Sequence, residues 1–262
     1  MLKKRLIPIL LLQNGLLVRS QTFSLHQIIG NPVHEVERFN AWSVDEIIYL
    51  DITRDGAYDL RRDDQKIRDL ATPQDILTRI AKTCFVPLTW GGGLRSIEDI
   101  AERLRGGADK VAINTAAVET PDLITNAAKR FGSQAVVVSI DAKHVGRTRY
   151  EVMSHGGRRA TGRDPVAWAR EAERLGAGEI LLQSIDRDGT AEGYDLDLIE
   201  RVTAATRLPV IACSGVGTYE HYIDGIRAGA SAVAAANIWH FRELADRGAK
   251  RVLAKAGVDI RT

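Results

Sequence analysis

Two glycine-rich turns, Gly91-Gly92-Gly93 and Ser214-Gly215-Val216-Gly217, each follow an apolar run and precede a helix-length segment. Glycine lets backbone N–H groups approach an anion closely, and a helix N-terminus adds a favourable dipole, so a strand–glycine–helix turn suits a phosphate. The apolar run after each turn ends in asparagine, at Asn114-Thr115 and at Asn237. Two candidate phosphate-binding groups result: Gly92, Gly93, Asn114 and Thr115 on one side, Gly215 and Asn237 on the other. Such a pair suits a bis-phosphorylated or elongated phosphorylated small molecule. The competing reading is that the glycines only close tight turns. A carboxylate, Asp141, ends a further apolar run at 136–140. An aspartate there either caps the next helix or serves a site as an acid or base.

These residues sit on a repeated frame. Pro87 and Pro209, Gly93 and Gly215, and Gly107 and Gly229 are each offset by 122 residues. Glu46-Ile47-Ile48 and Glu179-Ile180-Leu181 are offset by 133, so the first half carries about 11 extra residues. An internal repeat of strand–turn–helix units marks a duplicated half-barrel. Apolar runs at 6–12, 46–52, 85–90, 109–114, 135–141, 179–184, 208–213 and 231–236 alternate with amphipathic segments. That rhythm predicts an α/β fold, a single TIM (β/α)8 barrel with a two-fold half-barrel repeat, spanning residues 1–262 as one domain. In the repeat Leu11 stands where the mirror image of Asp141 would be.

Spacings at i, i+3, i+4 and i+7 predict helices over 97–106 and 165–175. Thr120-Pro121-Asp122 and Arg163-Asp164-Pro165 read as helix starts with a cap and a proline. Two segments break the rhythm, a polar and mixed stretch at 16–33 and a charged insertion at 53–75. Both leave the C-terminal ends of strands, where a barrel builds its site. The insertion reads as a solvated helix or loop, or as a lid or partner-docking element.

Composition narrows the class. A net charge of +2, with Lys and Arg spread along 262 residues, predicts no nucleic-acid partner. Cys84 and Cys213 read as buried thiols of a reducing compartment rather than a disulfide. Lys3-Lys4-Arg5 before an apolar run imitates a secretory signal, but Pro8 interrupts that run and Gln13-Asn14-Gly15 follows it. No stretch approaches the roughly 20 apolar residues of a membrane span. The expectation is a soluble cytoplasmic protein with no metal and no cofactor.

Several motifs together resemble one family. Val136-Val137-Val138-Ser139-Ile140-Asp141-Ala142-Lys143, His155-Gly156-Gly157, Gly176-Ala177-Gly178-Glu179-Ile180 and Ile185-Asp186-Arg187-Asp188-Gly189-Thr190 are similar to HisF, the cyclase subunit of imidazole glycerol phosphate synthase. Leu50-Asp51-Ile52, Gly107-Ala108-Asp109-Lys110-Val111 and Asn114-Thr115-Ala116-Ala117-Val118 extend the likeness nearly end to end. The resemblance implies a barrel that receives ammonia from a HisH-like glutaminase subunit in a heterodimer. It also implies joining that ammonia to a bis-phosphorylated ribulosyl substrate, with aspartates ending strands one and five as acid and base. The strand-five role falls on Asp141. The strand-one role is lost or moved to Asp51 or Asp188, of which Asp188 is taken as the second catalytic candidate, and Gly189 joins the second phosphate group. An ammonia gate at the barrel bottom is carried over to Arg5, Glu46, Lys110 and Glu179, against the alternative of a stabilising ion-pair cluster.

The likeness breaks at the strand-one acid. Where the family writes Leu-Asp-Val this chain writes Leu10-Leu11-Leu12, and leucine moves no proton. Arg19 replaces a lysine, Trp90 a small β-branched residue, Gln183 a threonine, Cys213-Ser214 a Ser-Gly pair and Asn237 a serine. The leucine run resembles HisF-like paralogs of acetamidino-sugar pathways for surface polysaccharide, in which a separate sugar amidotransferase uses the ammonia. Three functions are expected to compete. The first is a specialised paralog supplying ammonia to amidinate a nucleotide-linked sugar, and the second an orthodox imidazole glycerol phosphate synthase cyclase. The third is a non-catalytic ammonia conduit or scaffold.

Overall fold

The computed structural model describes residues 3–42, 44–54, 70, 72–146, 148–241 and 245–261. Eight parallel strands form its centre: β1 (Arg5–Gln13), β2 (Ile47–Asp51), β3 (Leu88–Gly91), β4 (Lys110–Ile113), β5 (Val136–His144), β6 (Glu179–Ser184), β7 (Val210–Cys213) and β8 (Ala232–Ala235). Neighbours pair in chain order, β8 returns to β1, and the circle is closed, as the sequence predicts for a (β/α)8 barrel. Each of the eight apolar runs read from the sequence overlaps one of these strands, with β1, β3 and β5 running past the predicted ends. The repeat is equally exact in register, since β3 and β7, like β4 and β8, start 122 residues apart.

Side chains alternate across each strand, which separates two apolar layers. Ile7, Ile9, Leu11, Ile48, Leu50, Ala112, Val137, Leu181 and Ile211 fill the barrel interior. Leu6, Leu10, Tyr49, Trp90, Ile113 and Val138 belong to the other layer, which packs against the helices. Strands apolar on both faces are what a parallel sheet covered by helices requires.

The helices follow their start signals with one exception. Ile97–Arg105 opens on a reciprocal cap, Ser96 Oγ accepting from Asp99 N at 3.1 Å and Asp99 Oδ2 accepting from Ser96 N at 2.9 Å. Pro165–Leu175 opens on Asp164, whose Oδ1 accepts from Val166 N and Ala167 N at 2.9 Å. Asp122–Phe131 starts without a side-chain cap, because Pro121 is already helical and leaves Thr120 outside the first turn.

The stretch at 16–33 contains a β-hairpin, Leu16–Gln21 with Leu25–Gly30, that continues β1 upward through Leu11↔Val18. A second hairpin, Tyr150–Ser154 with Arg159–Ala160, continues β5 through Asp141↔Met153. The first strand of each half therefore carries a hairpin over the mouth. Most of the charged insertion, residues 55–69 and 71, lies outside the described residues, and with it the lid or docking reading of 53–75. No described helix is long and apolar enough to cross a membrane. Cys84 and Cys213 are both free thiols.

Candidate functional site

The C-terminal strand ends open into a cavity of about 820 Å³. Asp141, Asp188, Gly92, Gly93, Asn114, Thr115, Gly189, Gly215 and Asn237 all line it, so one site gathers every residue assigned to catalysis or phosphate binding. The two glycines of the first turn differ. Gly92 (φ +96°) lies where a Cβ would come within 1.9 Å of the Asp51 carbonyl oxygen, so glycine is required to close the turn. Next to it, a Cβ on Gly93 (φ +69°) would meet nothing within 4 Å. The backbone at Gly93 is open to a ligand.

The asparagines are committed to the scaffold. Asn114 Nδ2 donates to Ser139 O at 3.1 Å and Met153 O at 3.2 Å, tying β4 to β5 and its hairpin. Asn237 Nδ2 donates to Ser20 O at 2.9 Å and Oδ1 accepts from Ser20 N at 3.4 Å, tying β8 to the other hairpin. Thr115 Oγ1 accepts from His155 N at 2.9 Å. An anion is therefore left with backbone N–H groups and with cationic side chains of the lining, among them Arg19, Arg95 and Arg158.

Asp141 sits at the buried floor. Its Oδ1 accepts from Ser139 Oγ at 2.9 Å and from Gln183 Nε2 at 3.0 Å. Ser139 is two residues away on β5 and shares its face, while Gln183 is its register partner on β6. Burial pushes the Asp141 carboxyl up to about 6, against the two donors, and nearby Asp188 adds to the rise. Asp188 is also raised by burial, although Ser20 Oγ donates to its Oδ2 at 2.6 Å and Phe23 N at 3.1 Å. At the strand-one position Leu11 packs with Ile9, Leu50 and Cys213, so that side of the floor is apolar.

The opposite end holds a closed ring of charge. Arg5 Nη1 meets Glu46 Oε1 at 2.7 Å, and its Nη2 meets Glu179 Oε1. Lys110 Nζ lies 3.0 Å from both Glu46 Oε2 and Glu179 Oε2. Each base bridges both acids. Burial alone would raise Glu46, but Arg5 and Lys110 outweigh it and hold the carboxyl below its usual value. Between ring and cavity floor the barrel is filled by aliphatic side chains such as Ile7, Ile48, Val137 and Leu181.

Sequence reasoning missed Ser20, Phe23 and His26 of the first hairpin, all of which line the cavity. A weak alternation from Leu16 to Gly30 was the available signal. Ser139 was quoted in a motif without a role, although its spacing from Asp141 puts both on one face of a strand. Among the described residues no group of three or more His, Cys, Asp or Glu side chains could hold a metal ion.

The family described as histidine biosynthesis protein matches residues 5–245. The imidazole glycerol phosphate synthase subunit HisF of Gluconacetobacter diazotrophicus is 45% identical over 261 residues, which is 100% of this chain and 97% of that protein. The protein of the same name from Micrococcus luteus is 48% identical over 241 residues, 90% of each chain.

Proposed function

The chain belongs to the histidine biosynthesis protein family, in its HisF branch, and from that premise we propose that it is the ammonia-consuming subunit of a two-protein synthase. A HisH-like glutaminase docks at the N-terminal end of the barrel and releases ammonia at the ring of Arg5, Glu46, Lys110 and Glu179. The ammonia crosses the apolar interior and meets a phosphorylated acceptor at the opposite mouth. One observation carries this reading: a neutralised ring and an acid-bearing cavity occupy the two ends of one apolar barrel. Neutral ammonia crosses such an interior without the desolvation that ammonium would suffer.

The relatives' name makes imidazole glycerol phosphate formation the first reaction to test, ahead of the sugar-amidination reading. Asp141, raised to about 6, populates both protonation states near neutrality and serves as acid or base, with Asp188 as the second carboxyl. The phosphates of the acceptor lie on the Gly92-Gly93 and Gly215 turns. The test is turnover of the bis-phosphorylated ribulosyl substrate by the purified chain in ammonium chloride, together with complementation of a histidine auxotroph lacking its own cyclase subunit. Turnover and growth are expected. Absence of both would overturn the assignment.

Leu11 favours a second reading. An apolar strand-one position suits a paralog whose ammonia goes to a separate sugar amidotransferase, with the barrel as conduit. That reading predicts glutaminase activation and ammonia release at the mouth with no consumption of the ribulosyl substrate.

A further inference from the structure

The hairpin after β1 is held over the cavity by bonds that an idle surface loop does not need. Its tip residues Thr22 and Phe23 sit at φ +51° and +57°, a region that residues other than glycine seldom occupy. Thr22 N donates to Asp188 O at 3.0 Å, and Phe23 N and Ser20 Oγ donate to Asp188 Oδ2. Asn237 clamps Ser20 from β8. Positive φ at both central residues is what a tight hairpin turn needs, here closed by Ser24 N donating to Gln21 O at 3.1 Å, so the clamp onto Asp188 and Asn237, not the turn, is the unusual feature.

The register fixes what the hairpin presents. Leu11 pairs with Val18, Ser20 lies two residues further along the same strand, and Ser20 pairs directly with His26. Directly paired residues, and residues two apart, share a face of a sheet. Leu11, Val18, Ser20 and His26 therefore share one face, with the Ser20–His26 pair next to the Leu11–Val18–Ile28 row, and Ser20 and His26 both line the cavity.

We propose that His26 is the proton-transfer group the site uses in place of an acid at position 11. The proposal deepens the synthase reading and rests on it. The step is addition of ammonia to a carbonyl carbon of the acceptor. The C–N bond forms, the carbonyl π pair moves to oxygen, the imidazole takes one proton from the new ammonium nitrogen and returns that proton to the alkoxide. Nothing is oxidised or reduced, and the imidazole ends neutral. Among the described residues the charged groups acting on His26 come from two other elements, Arg54 after β2 and Asp188 after β6. Burial first and Arg54 second lower its pKa, against Asp188, so the ring is neutral and able to accept a proton at neutral pH.

The test compares wild type with His26→Gln using ammonium chloride and the ribulosyl substrate, with thermal melts to show that both are folded. A group in this role is worth roughly 10²–10⁴-fold, so kcat is expected to fall by at least about a hundredfold with KM little changed. The acidic limb set by the imidazole disappears from the pH profile, and added imidazole restores part of the rate to His26→Ala. An unchanged rate and an unchanged pH profile for His26→Gln would overturn the proposal. Should wild type neither bind nor turn over this substrate, the synthase reading fails separately, and an NMR titration of the histidine ring protons decides the rest. A lower His26 pKa in Asp188→Asn supports a ring placed beside the acid of the cavity, and the same pKa in both proteins overturns that placement and the proton-transfer role with it.

Discussion

At the N-terminal end of the barrel Arg5 and Lys110 each bridge Glu46 and Glu179, whereas at the C-terminal end Asp141 and Asp188 take hydrogen bonds from hydroxyl, amide and backbone donors. Both sets of acids are buried. Glu46 is held below its ordinary value by two cations, while Asp141 is lifted to about 6 because its neutral donors do not offset desolvation. Burial alone therefore does not decide what a carboxylate does, and the partner does. Glu46 stays ionised and the mouth keeps a proton within reach.

The sharpest way to break this contrast is Asp141→Asn. Loss of an acid–base group is expected to reduce turnover roughly 10²–10⁴-fold. Stability should move the other way. A carboxyl whose folded pKa lies above its unfolded value contributes stability that is present below the unfolded value and lost as pH rises through the folded one. With a folded value of about 6 against 3.8, ionised Asp141 is a burden at pH 7, and asparagine should relieve up to about 3 kcal/mol of it. Asparagine keeps an oxygen for Ser139 and Gln183. Urea unfolding at pH 7 and pH 4 checks the sign. A variant less stable than wild type at pH 7 would contradict this account of the mouth.

Glu46→Ala is the matching test at the ring. It removes one acceptor from each base and leaves partly buried charge unpaired, a change that commonly costs about 3–5 kcal/mol. The folded pKa of Glu46 is depressed, so its contribution is present above the ordinary carboxylate value and lost as pH falls through the folded one. The gap between wild type and variant should be full at pH 7 and shrink in acid, as for Asp141→Asn but with the opposite sign, because here the variant is the less stable protein. If the ring also gates ammonia, glutamine hydrolysis by a bound HisH-like partner becomes uncoupled from use of the ammonia. A variant as stable as wild type, with coupling intact, would leave the four charges without either role.

Much of this was legible in the sequence because barrel strands and their turns obey local rules. Strands apolar on both faces, glycines at fixed intervals and the Ser96 and Asp164 caps each follow from nearby residues. Glu46 and Glu179 could be matched as strand-start acids by the repeat, while their sharing of two cations depends on barrel closure. The hairpin at Leu16–Gly30 was hidden because Leu25 and Ile28, apolar residues on opposite faces of one strand, are both exposed and spoil its alternation. Its role over the cavity was hidden for a stronger reason: Ser20 meets Asp188 across 168 residues, a contact no local pattern contains. The clamping role of Asn114 and Asn237 was hidden in the same way, since both tie together segments distant in sequence.

Leu11→Asp sharpens the contrast from the other side by placing a second acid on the floor. If the site performs the family reaction, turnover with ammonium chloride should rise about a hundredfold, the low end of what one acid–base group supplies. Stability should drop by about 1–3 kcal/mol, because a carboxyl replaces a leucine among Ile9, Leu50 and Cys213 without a built partner. Steady-state rates and melting temperatures separate the two effects. No gain in rate would show that an acid at position 11 lacks a role in this cavity.

The smallest effect expected belongs to Gly93→Ala, and it isolates ligand binding from folding. A methyl group on Gly92 would strike the Asp51 carbonyl, so a substitution there tests only whether the turn can close. On Gly93 the same methyl meets no protein atom within 4 Å and points into the space an anion would fill. Its positive φ, +69°, still disfavours alanine, by about 1–2 kcal/mol. The fold should survive with a melting temperature lowered by a few degrees. Inorganic phosphate, titrated calorimetrically, should bind roughly tenfold more weakly, which corresponds to about 1.4 kcal/mol. Affinity unchanged in Gly93→Ala would mean that the turn closes a strand–helix connection and holds no anion, leaving phosphate recognition to the second turn alone.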